Sequence, residues 1–449
     1  AEWLINGHIN EDIFCYDIKR FQKFHSDLSF IKKRITESLG DLYGMHWPFK
    51  QHKTSRNVKT LPYHDELKSF GACFGVSGGY ERPMWFALDG EKTEYEYSYN
   101  YQNWYPSAEY ETNNTVKNVG LFDLTPFSKF EIKSDKAHKE LQKICTANIK
   151  NEVGKCIYTH MLNPDGGIET DLTVVCIDKN HFRIISSAAT RERDKFHIKK
   201  YLAKDIELKD VTDDFCVFGV FGPKSRALMK SISKDNFEND EFRFGTAKYI
   251  SIEGIKIWTQ RLSYVGELGF ELYVTSKDAK KIYELLIDKG KDFNLSNCGM
   301  HAMDIMRMES GFLHWGHDIS PEENQYQAGL SFTISSKKED EFIGKRALEK
   351  IKKEKIKSRF AMFTLKDSKP GEPLLLHDEP IYLENNIIGR STSGNYSFNF
   401  RKNLAFGYIN NDISNNELHK KDLFIEIEKK KYPIEAINKP LKQTNFKDN

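Results

Sequence analysis

The sequence has few cysteines, and they are not arranged in pairs. Seven of the 449 residues are cysteine, scattered from Cys15 to Cys298 without a CxxC spacing. Disulfide scaffolds and structural zinc sites both need grouped cysteines, so neither is indicated and no metal ligand is predicted. This usage is typical of a reducing compartment. We therefore expect a cytoplasmic protein, or one of the mitochondrial matrix if its source is eukaryotic.

Long apolar runs and an excess of one charge are also missing. No stretch approaches the roughly 18 apolar residues that a membrane-spanning helix requires, and the opening residues AEWLINGHINEDIF do not resemble a signal peptide. The 67 basic and 65 acidic residues leave a formal net charge of +2. That balance gives no electrostatic basis for binding nucleic acid. Neither a membrane nor a nucleic acid is an expected partner.

Common nucleotide and nucleophile motifs are absent as well. No GxGxxG follows a predicted strand and there is no GxxxxGK[ST] loop, so a dinucleotide or ATP site within this chain is not indicated. We find no local pattern for Ser-His-Asp or Cys-His catalysis. The chain begins at Ala1 without a methionine, so we expect it to be processed or to be a piece of a longer protein.

The residues that are present predict a large α+β protein. Hydrophobic residues make up 39% and aromatic residues 13% of the chain, enough for an extensive core in about two to four domains. Residues 1–58 have helix-like stretches, and within the expected domain of residues 59–336 the run 116–332 alternates short strands with helices. A charged helix over 337–357 looks like a linker. Residues 357–440 are rich in strands, with turns expected at Pro370–Gly371, Asn385–Asn386 and Ser393–Asn395. This last part predicts a small β-barrel or sandwich.

The stretch NPDGGIETDLTV, residues 163–174, combines a turn with a strand that carries two acids. Alternation places Ile168, Thr170, Leu172 and Val174 on one face and Glu169, Asp171 and Thr173 on the other. The pattern alone fits a hairpin with a polar, hydrated face. Alternatively, Asp171 lines a pocket, where a carboxylate can accept a proton from an attacking nitrogen.

Three further motifs are individually weak. RLSYVGELGFELYV, residues 261–274, predicts two strands around a tight Gly266–Gly269 turn, whose Glu267 could accept paired N–H groups of a guanidine-like ring edge. MHAMDIMRMESGFLHWGHDIS, residues 300–320, predicts a helix with a methionine-rich core, followed by an HxxHD cluster that favours packing or ligand contact over a metal. GRSTSGNYSFNFRKNLAFGYI, residues 389–409, predicts two strands joined by a Ser/Gly/Asn-rich loop.

In order and spacing these motifs resemble the folate-binding T-protein of the glycine cleavage system. The resemblance begins at GLFDLTPFSKFEI, residues 120–132, and includes YTHML, residues 158–162. Upstream, AEWLINGHINEDIFCYDIKRF, GACFGVSGGYERPMWF and YEYSYNYQNW resemble the region that joins the flavin and folate halves in the dimethylglycine and sarcosine dehydrogenase family. The chain thus resembles the central and C-terminal part of such a flavoprotein, without its N-terminal FAD domain.

This resemblance implies a function and a set of site residues. The flavin half of the family oxidises an N-methylated glycine, and the folate half captures the one-carbon unit as 5,10-methylenetetrahydrofolate. Tetrahydrofolate is then the expected ligand of this chain, and FAD belongs to a flavin-binding half or subunit. The resemblance implies Asp171 as the catalytic acid–base residue. It further implies folate contacts from Tyr158, Ile185, Glu267, Leu268 and Gly269.

One residue departs from the T-protein pattern, and two alternative functions remain open. T-proteins usually have a folate-contacting arginine where this chain has Met303, which leaves the anchor of the folate glutamate tail undefined. The same architecture resembles the regulatory subunit of pyruvate dehydrogenase phosphatase, a non-catalytic module. A stand-alone folate-dependent aminomethyltransferase or demethylase is the other alternative.

Overall fold

A computed structural model describes residues 2–7, 11–338, 341–443 and 447. Its α-helices are α1 (Glu2–Asn6), α2 (Leu28–Asp41), α3 (His64–Ser69), α4 (Tyr105–Lys117), α5 (Ala137–Ile144), α6 (Arg191–Tyr201), α7 (Ser225–Ile232), α8 (Ala279–Gly290), α9 (Met300–Glu309), α10 (Lys345–Lys353) and α11 (Asn415–Lys420). The helix expected over 337–357 is shorter than predicted, and residues 339–340 of that range lie outside the described residues.

The strands form a hairpin, two larger sheets and a barrel. They are β1 (Ala72–Ser77), β2 (Tyr80–Phe86), β3 (Val119–Asp123), β4 (Ser128–Lys133), β5 (Cys156–Leu162), β6 (Ile168–Asp178), β7 (His181–Ser186), β8 (Leu208–Asp210), β9 (Phe215–Phe221), β10 (Ala247–Ile252), β11 (Ile255–Gln260), β12 (Gly269–Thr275), β13 (Leu295–Cys298), β14 (Ser358–Leu365), β15 (Pro380–Leu383), β16 (Asn386–Ser397), β17 (Lys402–Asn410), β18 (Leu423–Ile427) and β19 (Lys430–Ile437). Sheet 1 has the order β10-β11-β12-β9-β3-β13, and sheet 2 has the order β5-β6-β7-β4-β8.

Each of the two larger sheets buries apolar side chains on both of its faces. Sheet 1 packs against α7 and α8 through an outer core that includes Phe218, Leu228 and Ile282. Sheet 2 packs in the same way against α5 and α6. A third core joins the remaining faces of the two sheets to α9, whose Met303 and Met306 are buried there. The mixed helices and sheets confirm the predicted α+β class, and the third core lies in the space between the two sheets.

The last part of the chain is a closed barrel with the order β14-β17-β16-β15-β18-β19. The predicted barrel-or-sandwich is therefore a barrel. The turn expected at Asn385–Asn386 joins β15 to β16, but the turn expected at Ser393–Asn395 is wrong. Those residues lie inside β16, where the pairing with β17 shifts between Ser391 and Ser393. The shift is a β-bulge at Thr392, and bulges are found where a strand redirects a side chain.

A second difference concerns the GELG segment. The expected tight turn at Gly266–Gly269 is wrong, because β11 ends at Gln260 and β12 already begins at Gly269. The connection is therefore residues 261–268. Two side-chain contacts hold it: the Arg261 guanidinium donates to the Phe242 carbonyl at 2.7 Å, and the Tyr264 hydroxyl donates to the Leu313 carbonyl at 2.9 Å.

The N-terminal segment packs differently from the rest. In the described part of residues 2–58, no hydrophobic side chain is buried. Helix α2 begins at a good N-cap, since the Asp27 carboxylate accepts from the backbone of Ser29 and Phe30. Its Leu28, Ile35 and Leu39 are exposed. Across the described ranges of the chain, no helix has both the length and the apolar character needed to cross a membrane.

Candidate functional site

The hairpin formed by β5 and β6 positions Asp171. In the turn before β6, the Asn163 carboxamide oxygen accepts from the backbone of Asp165 at 3.0 Å and of Gly167 at 2.9 Å. Gly166 has φ of 90°, which favours glycine. Side chains of β6 then alternate between buried and half-buried positions from Ile168 onward. Asp171 is on the half-buried face, as the strand pattern predicts, and this face looks into the space between the sheets.

A chain of hydrogen bonds extends from Asp171 into the protein. The Tyr158 hydroxyl donates to an Asp171 carboxylate oxygen at 3.2 Å. The same hydroxyl lies 3.3 Å from Nε2 of His160, whose Nδ1 lies 2.9 Å from the Thr333 hydroxyl. Tyr158 is 39% exposed, whereas His160 is fully buried. Tyr158 therefore has one polar connection to the interior, through His160, and a side that remains exposed.

The pKa of Asp171 is raised to about 6, because the surrounding protein desolvates the carboxylate; the hydrogen bond from Tyr158 acts in the opposite direction. No cationic side chain contributes to this shift. The carboxylate is half-buried and so still reaches solvent. An acid with these properties is mostly ionised at neutral pH and remains easily protonated, which suits it to exchange a proton with a bound amine.

Ile185 belongs to the same wall. Tyr158, Thr173 and Ile185 lie opposite one another on β5, β6 and β7, so their side chains share one face of sheet 2. Thr173 follows Asp171 by two residues and is on the same face. The structure thus brings together three of the predicted site residues: Tyr158, Asp171 and Ile185.

The remaining predicted residues are arranged differently. Glu267 is buried and forms an ion pair with Lys442, a residue of the segment after the barrel. Leu268 is buried in the outer core of sheet 1, and its carbonyl accepts from the backbone of Gly222 at 2.8 Å. A Cβ at Gly269 would lie 2.2 Å from the Phe221 ring, so the glycine is needed for packing inside the protein. None of these three is in the row of Tyr158, Thr173 and Ile185.

A different acid of the same motif faces the space between the sheets. Glu271 lies on β12, four residues after Glu267, on the same face as Tyr273 of the third core. The Tyr273 hydroxyl donates to its carboxylate at 3.0 Å. Burial raises the pKa of Glu271 to about 7, with this hydrogen bond acting against the shift. Strand alternation within the quoted motif could have identified Glu271, because residues 269, 271 and 273 share one face.

Helix α9 and the loop after it bound the candidate site on the side opposite sheet 2. Arg307 is buried and bridges two acids: its Nε donates to Asp304 at 2.8 Å and its Nη1 donates to Asp318 at 2.6 Å. Tyr264 lies near this group, and its pKa is raised by burial and by the carboxylates of Asp171 and Asp304. Asp304 and Arg307 lie between the methionines and Ile305 of α9, which is a sequence signal for a functional or interface position. Met303 is buried in the third core.

The HxxHD cluster packs and lines the wall. The rings of His314 and His317 stack with centroids 4.7 Å apart. The Trp315 indole donates to the Ile168 carbonyl at 3.1 Å, which ties the loop to the start of β6. Among the described residues, potential metal ligands gather closely only at Glu37, Asp41 and His52, in the N-terminal segment.

Comparisons with known proteins agree with this architecture. Residues 63–338 match the model of the GCVT N-terminal domain, and residues 359–442 match that of the glycine cleavage T-protein C-terminal barrel domain. Residues 6–60 match the FAD dependent oxidoreductase central domain. The aminomethyltransferase of Halothermothrix orenii is 31% identical over 67% of this chain and 83% of its own length. The fold is thus that of an aminomethyltransferase, and the chain belongs to the glycine cleavage T-protein family.

Longer relatives cover nearly the whole chain. The 4-methylaminobutanoate oxidase (formaldehyde-forming) of Paenarthrobacter nicotinovorans is 34% identical over 98% of this chain and 53% of its own length. The mitochondrial dimethylglycine dehydrogenase of Rattus norvegicus is 29% identical over 98% of this chain and 51% of its own length. The chain therefore spans about half the length of these curated relatives, and its resemblance to the dimethylglycine and sarcosine dehydrogenase family is confirmed.

A solved structure has the same fold. The glycine cleavage system aminomethyltransferase T of Bartonella henselae superposes with a TM-score of 0.73 at 21% identity, over 86% of this chain and 98% of that chain. The predicted T-protein-like fold with a C-terminal barrel is thereby confirmed.

Proposed function

We propose that this chain is the tetrahydrofolate-binding, one-carbon-capturing part of an FAD-dependent demethylating oxidoreductase. The observation that carries the proposal is Asp171, a half-buried carboxylate with a pKa raised to about 6 that accepts a hydrogen bond from the partly exposed Tyr158. A carboxylate with a purely structural role does not require a position that is desolvated and still accessible. A carboxylate that exchanges protons with a bound amine does require such a position.

The residues between the sheets fit a reduced folate. Tetrahydrofolate supplies the nitrogens that take up the one-carbon unit, forming 5,10-methylenetetrahydrofolate. Asp171 accepts the proton released from the attacking nitrogen, and its negative charge stabilises a cationic one-carbon donor. The Tyr158 hydroxyl holds the Asp171 carboxylate in place. Ile185 and Thr173 continue the wall and provide apolar and hydroxyl contacts for a flat ring.

For the ring edge we propose Glu271 as the acceptor of ligand N–H groups. Glu267 was the residue expected from the resemblance, but its carboxylate is compensated by Lys442 inside the protein. Glu271 is half-buried between the sheets, and Tyr273 is its one hydrogen-bond donor among the described residues. We assign to Glu267, Leu268 and Gly269 the task of packing the connection that leads into β12.

The donor is proposed to be an N-methylated amino acid, oxidised by a flavin-binding half on the same polypeptide or on a separate subunit. Dimethylglycine and sarcosine are the donors that the family resemblance implies, and the name of the Paenarthrobacter relative adds 4-methylaminobutanoate. The match of residues 6–60 to an FAD dependent oxidoreductase central domain supports such a partner. A cytoplasmic or mitochondrial-matrix setting fits this chemistry. We retain 1–58, 59–336 and 357–440 as the proposed functional units.

Isothermal titration of tetrahydrofolate tests the proposal. The parent chain and Asp171→Asn should both bind, because the substitution keeps the shape of the side chain. Coupled to a competent flavin half, Asp171→Asn should transfer the methylene group about 100-fold more slowly or worse, the usual cost of losing a general acid–base. Asp178→Asn, at the exposed end of the same strand, is the matched control and should retain transfer. Absence of binding by the parent would refute the proposal.

A regulatory role without chemistry is the competing proposal. It requires a partner phosphatase that co-purifies with the chain and no turnover of folate. A stand-alone aminomethyltransferase requires transfer from an amine donor without flavin. The paired Tyr158 and Asp171 favour catalysis over regulation, and the N-terminal segment favours a flavin partner over stand-alone activity.

A further inference from the structure

Arg82, on β2, is a buried arginine whose donors are not all paired. The residue is 7% exposed, and its Nε and Nη2 atoms are buried without a hydrogen-bond partner among the described residues. Burial lowers the pKa of Arg82 to about 10, so the guanidinium is still charged at neutral pH. Burying a charged donor is costly unless an acceptor is supplied. These two N–H groups therefore indicate a position at which an acceptor binds.

The two unpaired nitrogens of Arg82 form one edge of its guanidinium. The N–H groups of Nε and Nη2 point in parallel, a geometry that matches the two oxygens of a carboxylate. Arg191 uses this edge for Asp210, with Nε and Nη2 each 2.9 Å from a carboxylate oxygen. Arg183 uses it for Glu131, at 3.0 and 2.7 Å. The edge that Arg82 leaves unpaired is thus the edge with which other arginines of this protein bind carboxylates.

The nearby acid Asp123 does not occupy this edge. One of its carboxylate oxygens accepts from the Tyr63 hydroxyl and from the backbone of Thr125, both at 3.1 Å. Its other oxygen, Oδ2, is buried and has no hydrogen-bond partner in the part of the chain that the structure describes. The charges of Asp123 and Arg82 act on each other, but no hydrogen bond joins the two described side chains. Asp123 therefore balances part of the charge and leaves the donors of Arg82 unpaired.

Direct contacts connect Arg82 to the candidate site. Its guanidinium lies over the ring of Phe127, with Cζ 5.5 Å from the ring centroid. Phe127 packs against the third core, as Ile185 does, and its carbonyl accepts from Lys129 Nζ at 2.7 Å. Lys129 lies opposite Ile185 in sheet 2, so it continues the row of side chains that begins at Tyr158. Arg82 is therefore next to the face of sheet 2 that carries the predicted site residues.

We propose that the Nε–Nη2 edge of Arg82 binds a carboxylate group of a ligand on the inner face of sheet 2. Two ligands of the proposed reaction have such a group: tetrahydrofolate, in its glutamate tail, and the N-methylated amino acid. In either case the chemistry is a bidentate pair between guanidinium and carboxylate. This assignment deepens the proposed function and rests on it for the identity of the ligand. It makes Arg82 a binding residue that is distinct from the proton-exchanging Asp171.

Isothermal titration with tetrahydrofolate and with 6-methyltetrahydropterin tests the glutamate tail as the source of the carboxylate, because the pterin lacks that tail. If the tail is the source, Arg82→Met should weaken tetrahydrofolate binding about tenfold or more, as expected for loss of a bidentate charged contact. Its affinity for 6-methyltetrahydropterin should stay within about twofold of the parent. Arg346→Met, which removes an exposed arginine of α10, is the matched control and should leave both affinities unchanged.

Titration with dimethylglycine, followed by NMR, tests the amino acid as the source. If its carboxylate is the ligand, Arg82→Met should weaken dimethylglycine binding about tenfold and leave tetrahydrofolate binding within about twofold of the parent. A loss for one carboxylate ligand, with the other unchanged, supports the site and identifies its source.

A second variant guards against an effect on folding. Arg82→Lys keeps the positive charge and an apolar stem but lacks the paired N–H edge. It should weaken binding of the same ligand by about threefold or more, while its urea unfolding remains as cooperative as that of the parent. Parent-like affinity of both variants for tetrahydrofolate and for dimethylglycine would overturn the site. An equal loss of tetrahydrofolate and 6-methyltetrahydropterin binding would also overturn it, because the effect would then not depend on a carboxylate.

The same titrations separate this inference from the proposed function. If the parent binds tetrahydrofolate and both Arg82 variants bind every ligand as the parent does, the proposed function stands and the carboxylate site is refuted. If the parent binds dimethylglycine through Arg82 but does not bind tetrahydrofolate, the site stands and the proposed function fails. If the parent binds neither ligand, both are refuted.

Discussion

Two regions of the molecule, β6 and the segment leading through β12, each have two closely spaced acids. Within each region the two acids differ in their partners. On β6, Glu169 pairs with Arg193 at 2.9 Å, while Asp171 two residues later has no cationic partner in the part of the chain that the structure describes. Before β12, Glu267 pairs with Lys442, while Glu271 four residues later is held only by Tyr273 among the described residues. In each region one acid has a cationic partner, and the other has none among the described residues.

The presence or absence of a cationic partner distinguishes structural carboxylates from carboxylates that can take part in chemistry. It does so more reliably than motif matching. Compensated carboxylates fix the chain, because removing one partner leaves a buried charge. Burial raises the pKa of Glu267 as well, and the Lys442 ammonium acts against that shift. Carboxylates that are desolvated without a cationic partner can exchange protons or accept ligand N–H groups. The closely spaced acids of both motifs look equivalent in sequence. Only their partners, contributed by α6 and by the segment after the barrel, tell them apart.

The largest effect should come from breaking the Glu267 pair. Lys442→Met leaves a buried carboxylate without its cation and should lower the free energy of unfolding by about 3 kcal/mol or more. The double variant Glu267→Gln/Lys442→Met removes both charges and should recover most of that loss. Urea denaturation measures both. Glu435→Gln breaks an exposed pair with Lys366 and should change stability by less than about 0.5 kcal/mol. A Lys442→Met protein as stable as the parent would contradict the structural role.

An effect of intermediate size is expected from Asp171 on the pH dependence of the free energy of unfolding. Its folded pKa of about 6 is above the ordinary value of 3.8, so the folded state binds the proton more tightly than the unfolded state. Stability from this group is therefore fully present below about pH 4 and lost as pH rises through 6. Relative to Asp171→Asn, the parent should gain about 1–2 kcal/mol between pH 7.5 and pH 4.5. Urea denaturation at both pH values checks this, and a difference of the opposite sign would mean a lowered pKa.

The smallest change in the free energy of unfolding is expected at Gln260, which lies beside Glu271. Gln260 lies opposite Glu271 in the sheet, is fully buried, and its amide atoms have no hydrogen-bond partner among the described residues. Gln260→Met should therefore raise the free energy of unfolding by about 1 kcal/mol, since burying an unsatisfied amide is costly. Gln142→Met removes a buried amide that donates to Asn148 at 2.8 Å and should destabilise the protein instead. Destabilisation by Gln260→Met would show that its amide is satisfied in solution.

Sequence reasoning predicted the features that local pattern determines. Helices α7 and α8 follow from apolar periodicity and flanking residues within their own sequences. The alternation along β6 correctly placed Asp171 on the half-buried face. The α+β class and the C-terminal barrel also follow from such patterns.

Features that depend on distant residues were not predictable in this way. The segment STSGN has turn-like composition but forms β16, because the facing strand and Asp318 use its backbone and hydroxyls. Lys442 pairs with Glu267 across 175 positions of sequence, and no local signal connects them. The ion group of Asp304, Arg307 and Asp318 likewise assembles only when α9 meets its loop. The site assignments beyond these contacts stay predictions.

The most direct test of the account is the dissociation constant of tetrahydrofolate for two variants. Glu271→Gln changes the acid that faces the cavity, and Glu267→Gln/Lys442→Met removes the compensated pair. The account predicts that Glu271→Gln weakens binding about tenfold or more, whereas the double variant binds within about twofold of the parent. Parent-like binding by Glu271→Gln, together with lost binding by the double variant, would contradict it.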